Sequence, residues 1–431
     1  MNIPALIKLL IVFIFMLAAM RFKLTLGNAF MAGAVLLGLF FGQYPTAIIV
    51  SAFHALIDLK TLSLSIVVSL ILVLSHSMEK SGHMKRLLDS FKGLVAHEGF
   101  NIIIFPALIG LLPMPGGAIF SAPMVNTIGA RHHLRGSQLS YVNYWFRHIW
   151  EYWWPLYPGV LLTTALASLD LWRFVFFLFP LTLVAIAAGY YPLRGMIRKN
   201  NQLGEKKPTE KAKLGLFFKE LAPILIVVIP GLFIGNMLTP VFEREGLTIA
   251  KETGLIFALM LAVAWTWWVN CMNAASQREI LGSKELLRIF YMVVAILVFK
   301  GALEDCRAVE QVSREFIHWH IPLLLITTML PFLVGIVAGI TIAFVGTTFP
   351  ILISLIQTLG ETHLMLPYMM LALTSGFIGV LFSPLHLCLL LSNEYFHTSL
   401  TAVYRHMLPP CAALVACGAA YFWLLTLFFE G

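Results

Sequence analysis

The sequence predicts an all-α polytopic membrane protein made of two inverted repeats. Each repeat has three spanning helices, a re-entrant hairpin, a broken helix and a last helix. Three observations carry this prediction. Hydrophobic residues make up 59% of the 431 residues and charged residues only 12%, about half the charged share of a soluble domain. Apolar runs of roughly 17–25 residues, the length of a membrane-crossing helix, recur from end to end. Two charged stretches far apart in the chain also repeat one another.

Those stretches are VLSHSMEKSGHMKRLLDSF (73–91) and VFKGALEDCRAVEQVSREF (298–316). Val73 falls over Val298, Glu79 over Glu304 and Phe91 over Phe316, without a gap, at an offset of 225 residues. The order continues downstream. Pro123 in FSAPM matches Pro350 in TTFPI, and WWPLYPGVLL (153–162) matches FSPLHLCLLL (382–391), with Pro155 over Pro384. Repeated halves with paired helix breaks are the sequence sign of a transporter architecture.

The elements follow in order. The first repeat covers 1–192, with elements beginning near 2, 25, 62, 100, 137 and 171. The second covers 214–431, with elements beginning near 215, 250, 286, 321, 366 and 403. Lys8 lies within the first segment and no convincing cleavage site follows it, so that segment reads as a retained helix rather than a signal peptide. Residues 79–99 and 304–318 read as amphipathic interfacial helices. The first hairpin (about 101–129) is interrupted by Pro113, Pro115, Gly116 and Gly117, which a straight helix does not tolerate. Its two arms of about 12 residues are each too short to cross a core of ~30 Å. The second hairpin spans about 321–358, with its tip expected near 341–350. The broken helices cover about 137–168 and 366–396. The basic linker 193–213 joins the halves.

Charge orients this layout. If neither hairpin crosses, each half crosses five times and the halves are inverted. About 19 of the Lys and Arg then share one side, against about 7 on the other, which makes the richer side cytoplasmic and puts both termini outside. The basic residues thus orient the chain in a bilayer, and the net charge of +8 gives no reason to expect a nucleic-acid partner. Cys271, Cys306, Cys388, Cys411 and Cys417 match no metal-binding spacing and imply no disulfide framework.

The stretch NYWFRHIWEYWWPLYPG (143–159) carries the candidate chemistry. Glu151 is expected near the membrane midplane, where a charge costs roughly 2.5–3.5 kcal/mol and needs a partner or a wet cavity. Arg147 and His148 are four and three residues before it, on the same helical face. An Arg147–Glu151 pair that merely cancels its own charge is the plain structural reading. The prolines favour a site: Pro155 denies the Glu151 carbonyl its helical donor, Pro158 does so for Trp154, and Pro384 for Val380. Bare backbone at membrane depth persists only around a cavity or inside protein.

Arg147 is therefore expected to bind an anion, and Glu151, with His148, to take and release a proton. Trp150, Trp153 and Trp154 read as wall packing. In the second broken helix, Ser383 and His386 flank Pro384, and His386 corresponds to Tyr157. The hairpin tips add Gly116, Gly117 and Ser121 on one side, and Thr341, Gly346, Thr347 and Thr348 on the other. Glycine admits a ligand close to the backbone, and the hydroxyls can face an anion or a cation. Tight helix packing through small residues is their plain alternative.

The strings LLPMPGGAIFSAP, NYWFRHIWEYWWPLYPG and GVLFSPLHLCLLLSNEYF resemble an uncharacterised integral-membrane family called domain of unknown function 401. The resemblance runs over nearly the whole chain. That family is placed in the ion-transporter superfamily, with divalent-anion/sodium symporters, arsenite permeases and sodium/proton antiporter relatives. The resemblance implies inverted repeats, two opposed re-entrant hairpins and interfacial helices, often a homodimer with an elevator-like transport domain. The dicarboxylate members carry Ser-Asn-Thr at both tips. Here the tips read Pro-Met-Pro-Gly-Gly and Val-Gly-Thr-Thr, so neither sodium coupling nor dicarboxylate binding carries over.

The expected function is secondary transport of a small anionic solute across the inner membrane of a prokaryotic cell. No cofactor is expected, and the expected coupling ion is H⁺, with Na⁺ as the alternative. No nucleotide-binding motif points to primary transport. A cation/proton antiporter is the first alternative. It needs a carboxylate, which Glu151 offers, but Arg147 opposes it. A membrane-embedded metal-dependent enzyme is the remote alternative: His148 and Glu151 share a face, but neither an HExxH motif nor a nucleophile–base cluster accompanies them.

Overall fold

The computed structural model describes residues 3–22, 24–91, 98–114, 116–200, 214–244 and 249–430. They are mostly helical, with no strand among them. The first ten helices are α1 (Ala5–Arg21), α2 (Leu26–Phe40), α3 (Pro45–Ile57), α4 (Leu59–Lys80), α5 (His83–Phe91), α6 (Glu98–Gly110), α7 (Ala118–Arg131), α8 (Gly136–Arg147), α9 (Pro158–Leu166) and α10 (Leu171–Asn200). The next ten are α11 (Leu214–Arg244), α12 (Ala250–Val269), α13 (Ala274–Leu281), α14 (Lys284–Asp305), α15 (Ala308–His318), α16 (Leu323–Ala338), α17 (Thr341–Thr358), α18 (Met365–Leu381), α19 (Leu387–Tyr395) and α20 (Leu400–Glu430).

Among the described residues, eight segments are long and apolar enough to cross a membrane, so the chain is an all-α polytopic membrane protein. In the apolar window of α20 only 17% of residues are buried, against 94% in the window ending α18. The first therefore faces the surroundings and the second forms the interior. Local signals fix several helix starts. The Thr25, Asp58, Asn273 and Ser283 side chains cap α2, α4, α13 and α14, and Pro45 opens α3, where its missing N–H costs nothing.

The order of elements recurs, and so do the contacts. α2 packs on α14 as α12 packs on α4; α5 packs on α11 as α15 packs on α1; α9 packs on α17 as α19 packs on α7. Equivalent atoms make equivalent approaches. A Cβ on Gly110 of α6 would lie 2.0 Å from the Arg147 carbonyl oxygen of α8, and one on Gly335 of α16 would lie 2.2 Å from the Gly376 oxygen of α18. Gly110 and Gly335 share the 225-residue offset; Arg147 and Gly376 share the 229-residue offset of Pro155 and Pro384. Gly82 and Arg307, also 225 apart, both turn the chain at positive φ, 67° and 50°, between a long helix and an amphipathic one.

The amphipathic helices dock through polar contacts as well as apolar faces. Met84, Leu87 and Leu88 of α5 are buried, and His83 donates from Nε2 to the Glu220 carbonyl of α11 at 2.6 Å. In the other half, the Glu315 carboxylate of α15 accepts from the Ala5 and Leu6 amides at 2.6 and 2.8 Å. It thereby satisfies open donors at the start of α1, where negative charge is favoured.

Four features go beyond or against the sequence reading. Short helices α3 and α13 stand where the sequence reading placed only connections. α10 continues through Asn200, so the polar segment after 192 begins as helix; its remainder, 201–213, lies outside the described residues, as does Pro115. The arms of the second hairpin are longer than those of the first, with 16 residues in α16 and 18 in α17 against 13 and 14. The turn of the second hairpin is at Gly339 (φ 66°) and Ile340, before the expected 341–350. Only glycine adopts that left-handed backbone without strain, which makes Gly339 the natural end of α16.

Candidate functional site

α8 stops at Arg147 and the chain stays irregular until Pro158 opens α9. In the second half α18 stops at Leu381 and Leu387 opens α19. The freed carbonyls have different fates. That of Trp154 accepts from the Tyr157 amide at 3.0 Å, and that of Val380 from the Ser383 amide at 3.0 Å. These are tighter i→i+3 turns, so neither carbonyl is bare as the sequence reading expected. For Glu151, no described backbone N–H takes the place that Pro155 vacates.

The breaks meet beside the hairpin turns. Arg147, His148 and Glu151 are all buried. Arg147 Nη1 lies 3.9 Å from Glu151 Oε1, and His148 Nε2 lies 3.5 Å from the same oxygen. The pairing expected from helical spacing therefore survives, although the backbone is no longer helical beyond Arg147. Arg147 also donates from Nη2 to the Met114 carbonyl at the first hairpin turn. His386, in the second break, packs on the Gly339 carbonyl through Nδ1 at 3.0 Å. Met114 and Gly339 are again 225 apart. In each half, a side chain of the broken helix holds the same carbonyl of its own hairpin.

The halves then join. Thr341, the first residue of α17, donates from Oγ1 to Glu151 Oε2 at 3.4 Å. His386 Nε2 lies 3.1 Å from His148 Nε2. A cavity of about 730 Å³ opens beside these groups. Gly116, Arg147, Glu151, Tyr157, Thr341, His386 and Cys388 are part of its wall. The first two residues of α9, α17 and α19 also line it, so the open N–H groups and positive dipole ends of three helices are gathered around one space. Lys284 and Arg288 of α14 add positive charge and Glu285 negative charge. Two other cavities, of about 380 and 660 Å³, border Lys60 and contain none of the Arg147 cluster.

The expected site residues divide. Gly116, Arg147, His148, Glu151, Tyr157 and His386 come together. Gly117 makes room for the guanidinium: a Cβ there would lie 2.7 Å from Arg147 Nη2. Tyr157 uses its hydroxyl on the Gly110 carbonyl at 2.6 Å. Ser383 sits behind Gly339, its Oγ 2.7 Å from where a Cβ would be. Ser121 donates to Asn143 Oδ1 at 2.6 Å, within helix packing. Gly346, Thr347 and Thr348 do not join the site. They lie inside α17, where both threonines bond back to carbonyls of their own helix and Gly346 faces Ile296. The sequence reading placed them at the tip because it put the hairpin turn several residues late.

The expected tryptophan wall is not among the residues lining the cavity; Trp150 and Trp154 instead donate to the Ala107 and Leu111 carbonyls at the end of α6. Two contributors were missed. Asn143 ties α8 to the Ala118 carbonyl and to Ser392 Oγ, at 2.9 Å each. Cys388 lies with His148 and His386, their ligand atoms within 4.8 Å of one another. The residues LCLLLSN of α19 (387–393) hold both Cys388 and Ser392, but a lone thiol in an apolar run reads as packing.

Residues 4–425 match the model of the family described as protein of unknown function, DUF401. The chain belongs to that family. No curated protein matches it. The family description assigns no activity, so a functional reading of this DUF401 member starts from the geometry around Arg147 and Glu151.

Proposed function

We propose that the protein is a secondary transporter of a small anionic solute, coupled to a proton carried by Glu151. The observation that supports this most is Arg147. Its guanidinium is fully buried at the cavity, its Nε has no hydrogen-bond partner among the described residues, and three helix N-termini line the same space. Burying an unsatisfied charged donor is costly, and an anion in the cavity relieves that cost while accepting from first-turn amides. Glu151 partly neutralises Arg147. Protonating Glu151 releases the guanidinium for the solute, and solute release lets the carboxylate ionise again.

In this reading the protein belongs to the ion-transporter superfamily, with the two halves inverted in a prokaryotic inner membrane and both termini outside. The hairpins and broken helices move together against a scaffold that includes α4, α5, α14 and α15, within a homodimer. The coupling test is proton flux into proteoliposomes carrying a pH dye, challenged with a panel of small organic and inorganic anions and with sodium and lithium. Anion-triggered flux in the wild type, lost in Glu151→Gln, is the expected result. Flux driven by sodium alone would favour a cation/proton antiporter. No flux with any solute, from protein shown to be folded, would reject transport coupling and leave Arg147–Glu151 a structural pair.

A further inference from the structure

We infer that His148, His386 and Cys388 bind one transition-metal ion of the zinc class, with Glu151 as the fourth donor. The two imidazoles decide this. His148 Nδ1 lies 2.6 Å from the Tyr144 carbonyl oxygen and His386 Nδ1 lies 3.0 Å from the Gly339 carbonyl oxygen. A carbonyl only accepts, so each Nδ1 carries the ring proton, and each neutral ring presents a lone pair at Nε2. Those two Nε2 atoms face one another at 3.1 Å. Two lone pairs at that distance repel unless something positive lies between them. Arg147 Nη1, 3.2 Å from His148 Nε2, offers one N–H to a pair of acceptors.

A metal ion satisfies both lone pairs. Nitrogens bound to tetrahedral zinc at about 2.05 Å lie about 3.3 Å apart, close to the separation here. An Nδ1–H held by a backbone carbonyl is the usual way in which a protein fixes an imidazole for metal ligation through Nε2.

The remaining donors fit the same class. Cys388 Sγ lies within 4.8 Å of a ring nitrogen of each histidine, and Glu151 Oε1 lies 3.5 Å from His148 Nε2. Thr341 holds the other oxygen of that carboxylate. Two imidazoles, a thiolate and a carboxylate select zinc-like ions over magnesium or calcium, which take oxygen ligands. On binding, the Cys388 thiol loses its proton to solvent and its sulfur bonds the metal. The thiolate and Glu151 outweigh the charge of Arg147, which opposes a cation. Because His148 comes from the first half and His386 and Cys388 from the second, the ion would fasten the two breaks together.

Glu151 cannot ligate the ion and carry the coupling proton at once, so the metal-bound and proton-carrying forms are alternative states of one site, and equilibrium binding tests the ion without any flux. Purified protein, stripped with a chelator and shown to elute as a single species, is titrated with Co²⁺. The expected result is about one ion per chain, with a thiolate-to-cobalt charge-transfer band that Zn²⁺ abolishes by displacement. Cys388→Ser should remove the band, and His386→Ala should weaken binding by at least about 10-fold. Cys417→Ser, on α20 away from the site, should leave both unchanged. Absence of the band in folded wild-type protein, or its persistence in Cys388→Ser, would overturn the assignment. In the first of these cases a shared proton would join the two imidazoles instead.

Discussion

At the scale of single residues, the site depends on how closely α6 and the first hairpin turn approach Arg147. Its carbonyl oxygen lies against Gly110 and its guanidinium against Gly117, so two glycines shape the space around one arginine. A methyl at 110 would sit 2.0 Å from backbone rather than from a flexible side chain, and the helices must part to admit it. Gly110→Ala should therefore destabilise the folded protein by about 1–3 kcal/mol, and Gly335→Ala, its counterpart, by a similar amount. Gly215→Ala, where no described atom beyond its own helix turn lies within 4 Å of an added Cβ, should be neutral or slightly stabilising through helix propensity. Thermal unfolding in detergent compares the three. Equal stability of Gly110→Ala and the wild type would show that α6 and α8 are not held at this distance. Arg147, His148 and Glu151 were legible in the sequence because charge is conspicuous in an apolar chain and must be explained there. Cys388 was not, because a thiol is ordinary in such a chain and gains meaning only beside two imidazoles.

At the scale of elements, α5 and α15 show amphipathic helices held by polar anchors at their ends. His83 is buried at the start of α5, facing Glu220 and Lys219 of α11, Asn270 after α12 and its own neighbour Arg86. Burial lowers the imidazole below its ordinary value of 6.5, with Arg86 and Lys219 acting in the same direction and Glu220 opposing them. The folded state thus favours neutral His83. Its contribution to stability is complete above 6.5 and is lost as the pH falls through the lowered folded value. Between about pH 7.5 and about pH 5.5, the wild type should lose more thermal stability than His83→Gln, which has no proton to gain. Parallel losses in the two proteins would remove His83 as the cause.

Helix existence at this scale was largely readable, since apolar length and amphipathic period are local properties of the chain. The hairpin turn was less so. Gly339 and Ile340 make it, but the Gly-Thr-Thr run a few residues later carries the same turn-like composition and lies inside α17. There, tertiary packing overrides local preference, and the threonines satisfy themselves on their own helix.

At the scale of the whole molecule, the repeat was legible because equivalent positions face equivalent constraints. A turn at positive φ recurs at Gly82 and Arg307, a close helix approach at Gly110 and Gly335, and a held carbonyl at Met114 and Gly339. What the offset did not convey is how the halves meet: His148 against His386 and Glu151 against Thr341 are contacts between distant segments with no local signal. That meeting bears on movement. If the hairpins and broken helices travel together against a scaffold, α17 must slide past α14, and their contact at Gly346 and Ile296 lies on the sliding boundary. A Cβ on Gly346 would stand 3.5 Å from that of Ile296, within the range that a disulfide spans. Gly346→Cys with Ile296→Cys, oxidised in proteoliposomes, should arrest anion-triggered flux, and a reductant should restore it. Neither residue touches the cavity, so arrest would come from immobilising α17 rather than from blocking the solute. Full flux in the oxidised pair, with the cross-link verified by mass spectrometry, would mean that α14 moves with the site. The scaffold would then have to be sought elsewhere in the fold.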